Sequence, residues 1–257
     1  MKSYLSVIYL GHFGLIVALL RAKALTFSGM HSYPSAVIFD MDGLMIDTER
    51  LAFEVICQTA ETFNLSFPLR VYKKLIGRST TESVHIVKEE MGEDFPFEKV
   101  FPVWSANYLK RVQEGPLPVK EGLYELFDYL ESKNIRKVVA TSTAMPLAEI
   151  KLKKINAWDR FESVATADQV AKGKPAPDVY KLALKNLGLK ASECMALEDS
   201  PNGIRAAYAA KIPVLMIPDI LQPTDELIDK SEDVLPSLKS VGGYIEALGC
   251  EKELTLS

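Results

Sequence analysis

The sequence predicts an α/β fold, a parallel sheet with helices on both faces and an all-helical block inserted after its first strand. Three observations predict it. An apolar run, Ala36 to Phe39, reads as a buried strand and ends abruptly on Asp40-Met41-Asp42-Gly43. From Val119 onward, segments with helical spacing alternate with short apolar runs, the pattern of βα units. Between the two, Glu49 to Glu114 holds helical periodicity with no convincing strand, and Gly115-Pro116-Leu117-Pro118 closes it as a linker. The sum is a Rossmann-like core interrupted once.

Taken in order, residues 1–35 differ in character from the rest of the chain. Lys2, an apolar stretch from Tyr4 to Leu20, and Arg21-Ala22-Lys23-Ala24 resemble a signal peptide. The stretch is marginal as a membrane span, which needs about 20 apolar residues. Translation starting at Met30 is a third reading. The expectation is a non-structural leader, with export or organelle targeting left open. In the helical block, Leu51, Val55, Ile56, Thr59 and Phe63 share one face, and further helices fit Pro68–Ile76, Thr80–Met91 and Phe97–Gln113. Ser79-Thr80-Thr81-Glu82 carries a capping-box pattern. After the linker come a helix over Leu123–Lys133, a strand over Lys137–Ser142, a helix over Pro146–Ile155 and a strand over Phe161–Thr166. Next are a helix over Pro177–Leu187 with Gly188 as its stop, a strand over Cys194–Leu197, a helix from Pro201 to Ala210 and a strand over Pro213–Ile217. The tail adds one short strand near Val234 and a helix over Val241–Leu248. The expected division is a leader (1–35), a core (36–48 with 119–257) and a helical block (49–118).

Composition narrows the function classes. With 257 residues, 48% hydrophobic and 25% charged, the chain is an ordinary globular protein, and a net charge of -4 gives no basic footprint for nucleic acid. Cys57, Cys194 and Cys250 form no CxxC pair, so neither a disulfide framework nor a zinc site is implied, and a reducing compartment suits them. His12, His31 and His85 lie away from any carboxylate cluster in the sequence.

In an open parallel sheet, ligands bind beyond the carboxyl ends of the strands. Four polar groups fall at such ends or at the helix starts beside them: Asp40 and Asp42, Thr141 and Ser142, Lys174 in Gly-Lys-Pro-Ala-Pro-Asp, and Glu198-Asp199-Ser200. Alternate residues of an extended chain share a face, so Asp40 and Asp42 point the same way if the strand geometry continues. Two carboxylates so placed repel unless a cation or shared proton separates them, and a hard cation such as Mg²⁺ is suited to the task. Each part also has a plainer account. The acidic pair fits a solvated turn, Thr141 a turn start, Lys174 a solvated loop, and Asp199-Ser200 a helix N-cap. The four together, in order, point to one site.

These motifs resemble those of the haloacid dehalogenase superfamily. The first is a strand followed by Asp40-Met41-Asp42-Gly43; the second is a strand ending in Thr141; the third is Lys174 before a helix; the fourth is the acidic pair Glu198-Asp199. The resemblance covers about residues 36–218. Asp47-Thr48-Glu49 and the helical insert resemble the beta-phosphoglucomutase-like branch, which also holds phosphatases and carries a small helical cap over the site. The resemblance implies that Asp40 is the nucleophile, forming an aspartyl-phosphate, and that Asp42 is the general acid and base. It implies Mg²⁺ held by Asp40, the Asp42 carbonyl, Asp199 and Glu198, the last directly or through water. Lys174, Thr141 and the Ser142 backbone N–H would disperse phosphoryl charge, with Gly43 beside them.

The mutases of that branch carry a histidine early in the first cap helix, where this chain has Ala52, and an arginine in the cap loop near Thr80, from which Arg78 is two residues away. Both departures disfavour a mutase, and Asp42 disfavours dehalogenation. The expectation is a Mg²⁺-dependent phosphomonoesterase acting on a small phosphorylated metabolite, with sugar, polyol and nucleotide-like phosphates all open. A phosphosugar mutase and a non-catalytic phosphate-binding scaffold are the alternatives. Arg78 is a candidate substrate contact, or a partner of Glu82. A cytoplasmic monomer without nucleic-acid or membrane partners completes the expectation, unless the leader anchors it.

Overall fold

The computed structural model describes residues 33–76 and 80–255. The core is a six-stranded sheet in the order β3-β2-β1-β4-β5-β6, with every neighbouring pair parallel. Its strands are β1 (Ala36–Phe39), β2 (Arg136–Thr141), β3 (Ser163–Thr166), β4 (Cys194–Glu198), β5 (Val214–Met216) and β6 (Asp233–Val234). Four helices, α1 (Thr48–Thr62), α2 (Leu69–Leu75), α3 (Thr80–Met91) and α4 (Phe97–Glu114), separate β1 from the rest. The remaining helices are α5 (Leu123–Ser132), α6 (Met145–Lys154), α7 (Asp178–Leu187), α8 (Pro201–Ala209), α9 (Asp225–Lys230) and α10 (Lys239–Thr255). Among the described residues no helix is long and apolar enough to cross a membrane.

Strand alternation divides the core in two. Val37 and Phe39 face α5 and α10 through Phe127, Leu130 and Val241, while Ala36 and Ile38 face α7 and α8 through Tyr180, Ala183 and Ile204. Burial on both faces explains why these strands read as continuous apolar runs. The helical insert has its own core, with Ile56, Val71, Val87 and Val100 at its centre. The two passages into and out of the insert lie side by side. Ile46 bridges Val119 in antiparallel fashion, the Asp47 N–H donates to the Pro118 carbonyl (2.9 Å), and the Lys120 N–H donates to Met45 (2.9 Å).

Most elements fall within a residue or two of the sequence expectation. Three differences have physical causes. The strand after Asn134 ends at Thr141, leaving Ser142 exposed in the loop beyond. β4 runs one residue further, so Glu198 is a strand residue and fully buried. Helix α9, absent from the expectation, is six residues long and buries only Leu227, too little for a periodic signal. The Tyr33 hydroxyl donates to Glu246 (2.9 Å). Of the leader expected over residues 1–35, residues 1–32 lie outside the described residues, as do the cap-loop residues Arg78 and Ser79, while Ser35 already joins the core, its N–H donating to the Glu193 carbonyl (2.8 Å) and its carbonyl accepting from the Arg136 N–H (3.1 Å).

Candidate active site

β1 and β4 are neighbours at the centre of the sheet, where the strand order reverses direction, and the sequence motifs meet just beyond their carboxyl ends. The Asp40 N–H continues the ladder, donating to Leu197 (3.0 Å). Asp40 and Asp42 line one cavity while Met41 between them is buried, so the strand alternation persists past β1. Gly43 then turns the chain with φ +86°, and a Cβ there would stand 2.1 Å from Asp199 Oδ2. Only glycine permits both the conformation and the approach.

Lys174 binds the site together. Its side chain, 4% exposed, donates to Asp40 Oδ1 (2.5 Å), Glu198 Oε1 (2.5 Å) and the Ala140 carbonyl (2.9 Å), which occupies all three ammonium protons. Burial lowers the Lys174 pKa, but the charges of Asp40 and Glu198 outweigh it and hold the group above the ordinary lysine value. Glu198 is fully engaged in turn. Oε1 also accepts from the Tyr180 hydroxyl (2.8 Å), and Oε2 accepts from the N–H groups of Asp199 and Ser200 (both 3.2 Å) and from Ser200 Oγ (3.1 Å). Ser200 caps α8, its Oγ accepting from the Gly203 N–H (3.0 Å).

The acidic side carries more negative charge than Lys174 alone offsets. Oxygens of Asp40, Glu198 and Asp199 lie within 4.8 Å of one another. Asp199 Oδ1 is buried and has no hydrogen-bond partner among the described residues. Burial pushes the Asp40 carboxyl up to about 8 against the opposing charge of Lys174. Burial, with Asp40 and Glu198 nearby, pushes Asp199 well above its ordinary value. A hard divalent cation fits this all-oxygen, over-negative, orphan-bearing set.

Asp42 has partners the sequence did not foretell. Lys151 on α6 donates to its Oδ1 (2.5 Å), and the Thr143 hydroxyl donates to its Oδ2 (2.6 Å). Lys151 is 2% exposed and sits beneath the Tyr108 ring of α4. Burial lowers its pKa, but Asp42 and Tyr108 more than offset this. Thr141 is buried and fixes the loop by accepting from the Thr143 N–H (3.0 Å). Nothing in the run Glu149-Ile150-Lys151-Leu152-Lys153-Lys154 marks Lys151 apart from its neighbours; only its place on the buried face of α6 does.

Two cavities open from this centre. The first, about 740 Å³, is walled by Asp40, Thr141, Ser142, Lys174 and Asp199 at its base and by Lys73 and Arg205 further out. The second, about 470 Å³, meets the first at Asp42, Glu49 and Ser142 and runs under α4. Tyr72 donates its hydroxyl to Glu49 Oε2 (2.8 Å) where the two join.

Comparison with known proteins agrees with the motifs. The sequence pattern of the haloacid dehalogenase-like hydrolases matches residues 37–217. A phosphorylated carbohydrates phosphatase from Thermotoga maritima is 32% identical over 184 residues, 69% of this chain and 82% of that protein. A (DL)-glycerol-3-phosphatase from Arabidopsis thaliana is 31% identical over 199 residues, 71% of this chain and 79% of that protein. Among solved structures, CbbY from Rhodobacter sphaeroides in complex with phosphate superposes with a TM-score of 0.65 at 26% identity, covering 81% of this chain and 96% of that one.

Proposed function

The chain belongs to the haloacid dehalogenase-like hydrolases, and within them we propose that it is a Mg²⁺-dependent phosphomonoesterase that cleaves a small phosphorylated metabolite through an aspartyl-phosphate. One observation carries the reading. Lys174 is clamped between Asp40 and Glu198 at the floor of a cavity whose remaining carboxylate, Asp199, has an orphaned oxygen. Such a floor suits a hard divalent cation and a phosphoryl group.

Asp40 attacks phosphorus. The bond from phosphorus to the ester oxygen breaks, and Asp42 gives its proton to the departing alkoxide. Water then attacks the aspartyl-phosphate, its proton passes to Asp42, and inorganic phosphate and free Asp40 remain. One residue serves both steps because the proton moves in opposite directions. Lys174, Thr141 and Ser142 meet the charge on the phosphoryl oxygens, and Lys174 steadies the Asp40 oxygen it holds while its partner oxygen is free to react. Asp40, Asp199, Glu198 and the backbone of Asp42 would hold Mg²⁺. When bound, it screens the carboxylates from the phosphoryl group and draws charge from the latter. Glu198, with five hydrogen bonds already, contributes mainly by fixing Lys174 and the start of α8.

A mutase needs a proton-shuttling group beside the leaving oxygen. The position where the related mutases hold histidine is Ala52, a wall residue of the second cavity. A monomer in a reducing, cytoplasmic compartment is part of the proposal, the compartment suiting the free thiols of Cys57 and Cys194. The test is release of phosphate from p-nitrophenyl phosphate with Mg²⁺, wild type beside Asp40→Asn. Turnover is expected from wild type alone. Near-normal turnover by a folded Asp40→Asn protein overturns the covalent route, and none by Mg²⁺-loaded wild type favours a scaffold.

A further inference from the structure

The second cavity bears on which alcohol leaves. In a hydrolase built this way the ester oxygen departs toward Asp42, so the carbon skeleton attached to it begins where the two cavities meet. From there the second cavity offers an aromatic wall. Along α4, Phe97 stacks on Phe101 (centroids 3.7 Å apart, 18° between planes) and Trp104 stacks on Tyr108 (6.2 Å, 30°). Tyr72 and Leu147 close the other sides.

The polar groups of this wall are mostly engaged. Lys151 and Thr143 hold Asp42, and the Trp104 indole N–H donates to the Ala52 carbonyl (3.0 Å). Capacity remains on the first turn of α1. Glu49, half-buried at the junction, accepts from Tyr72 with lone pairs to spare. A chain of hydroxyls placed here would lose water without enough replacement partners, at a cost for each. A flat ring would lie against the aromatic faces and lose little.

We propose that the alcohol released by this enzyme is a flat, largely apolar ring system with one polar edge, the class to which aryl, heteroaryl and arylmethyl alcohols belong, and that its polar edge meets Glu49. This narrows the substrate range the motifs leave open. It rests on the hydrolase reading.

The Mg²⁺-loaded wild type is assayed for kcat/KM with benzyl phosphate and 1-naphthylmethyl phosphate, whose leaving groups are alkoxides like those of the competitors, against glycerol phosphate and glucose 6-phosphate. The ring esters are expected to lead by at least about tenfold, the scale of one good ring stack. Phe101→Leu, checked by its melting curve, should lower that ratio by about tenfold. A lead for the polyol esters, or a ratio untouched by Phe101→Leu in a folded protein, overturns the inference and leaves the hydrolase intact. If no ester is cleaved, the hydrolase reading falls. Equilibrium binding of 1-naphthol then judges the cavity separately: saturable binding weakened by Phe101→Leu upholds it, and none overturns it.

Discussion

Gly203→Ala tests the hub on which the site is built. A Cβ at Gly203 would lie 1.8, 1.9 and 2.0 Å from Oε1, Cδ and Oε2 of Glu198, so the whole carboxylate must leave or α8 must lift. Either movement is costly. Glu198 is fully buried and its five hydrogen bonds include the ion pair to Lys174; lifting α8 exposes Ile204 and Ala207, which are fully buried. Overpacking a tight site costs about 1–3 kcal/mol, and loosening bonds to a buried charge adds about 1.5–3 kcal/mol. The better helix propensity of alanine returns at most about 1 kcal/mol. The net loss is about 3 kcal/mol, a drop in Tm of about 6–12 °C for a chain this size. Gly243→Ala is the control of opposite sign. It sits within α10, where an added Cβ meets nothing within 4 Å, so it should raise stability by about 0.5–1 kcal/mol. Thermal unfolding followed by circular dichroism, with and without Mg²⁺, reads both. If Gly203→Ala melts within a degree or so of wild type and keeps its turnover, Glu198 is not the fixed anchor described.

Two further outcomes are expected from the electrostatics. Lys151→Met removes the ammonium that holds Asp42 in place, and kcat with alkyl phosphates should fall by about 10- to 100-fold, up to the lower end of what general acid–base catalysis contributes. The fall should be smaller with p-nitrophenyl phosphate, whose leaving group needs no proton; an equal loss with both esters would assign Lys151 a purely structural role. Asp199→Asn relieves repulsion among buried carboxylates, so the metal-free variant should melt higher than metal-free wild type. Wild type should gain Tm steadily as Mg²⁺ is titrated and the variant should not; a variant that keeps the full Mg²⁺ response would remove Asp199 from the metal set.

The sheet was legible because its strands are buried on both faces, which writes them as apolar runs, and because Pro and Gly mark the helix ends at Pro201 and Gly188. The polar groups at those boundaries, from Asp40 to Asp199, were visible for the same reason: a buried strand that stops on a carboxylate stands out. Lys151 and Tyr180 were not. Each sits inside a helix where its spacing fits an ordinary amphipathic face, and only the packing of that helix, α7 on β1 and β2 for Tyr180 and α6 on β3 and α4 for Lys151, turns it toward the site. The aromatic ladder of α4 reads as helix, and its spacing alone cannot tell a core from a cavity wall.

The paired passages at Ile46 and Val119 have a broader consequence. To the sheet, everything from α1 to α4 is one long hairpin turn whose two stems are already stapled. Lengthening such a turn adds little closure entropy, so residues of the insert can be exchanged wholesale, and a foreign helical bundle grafted between the stems, without disturbing how the strands align. Chemistry and choice of substrate are thereby free to evolve at separate rates in one chain.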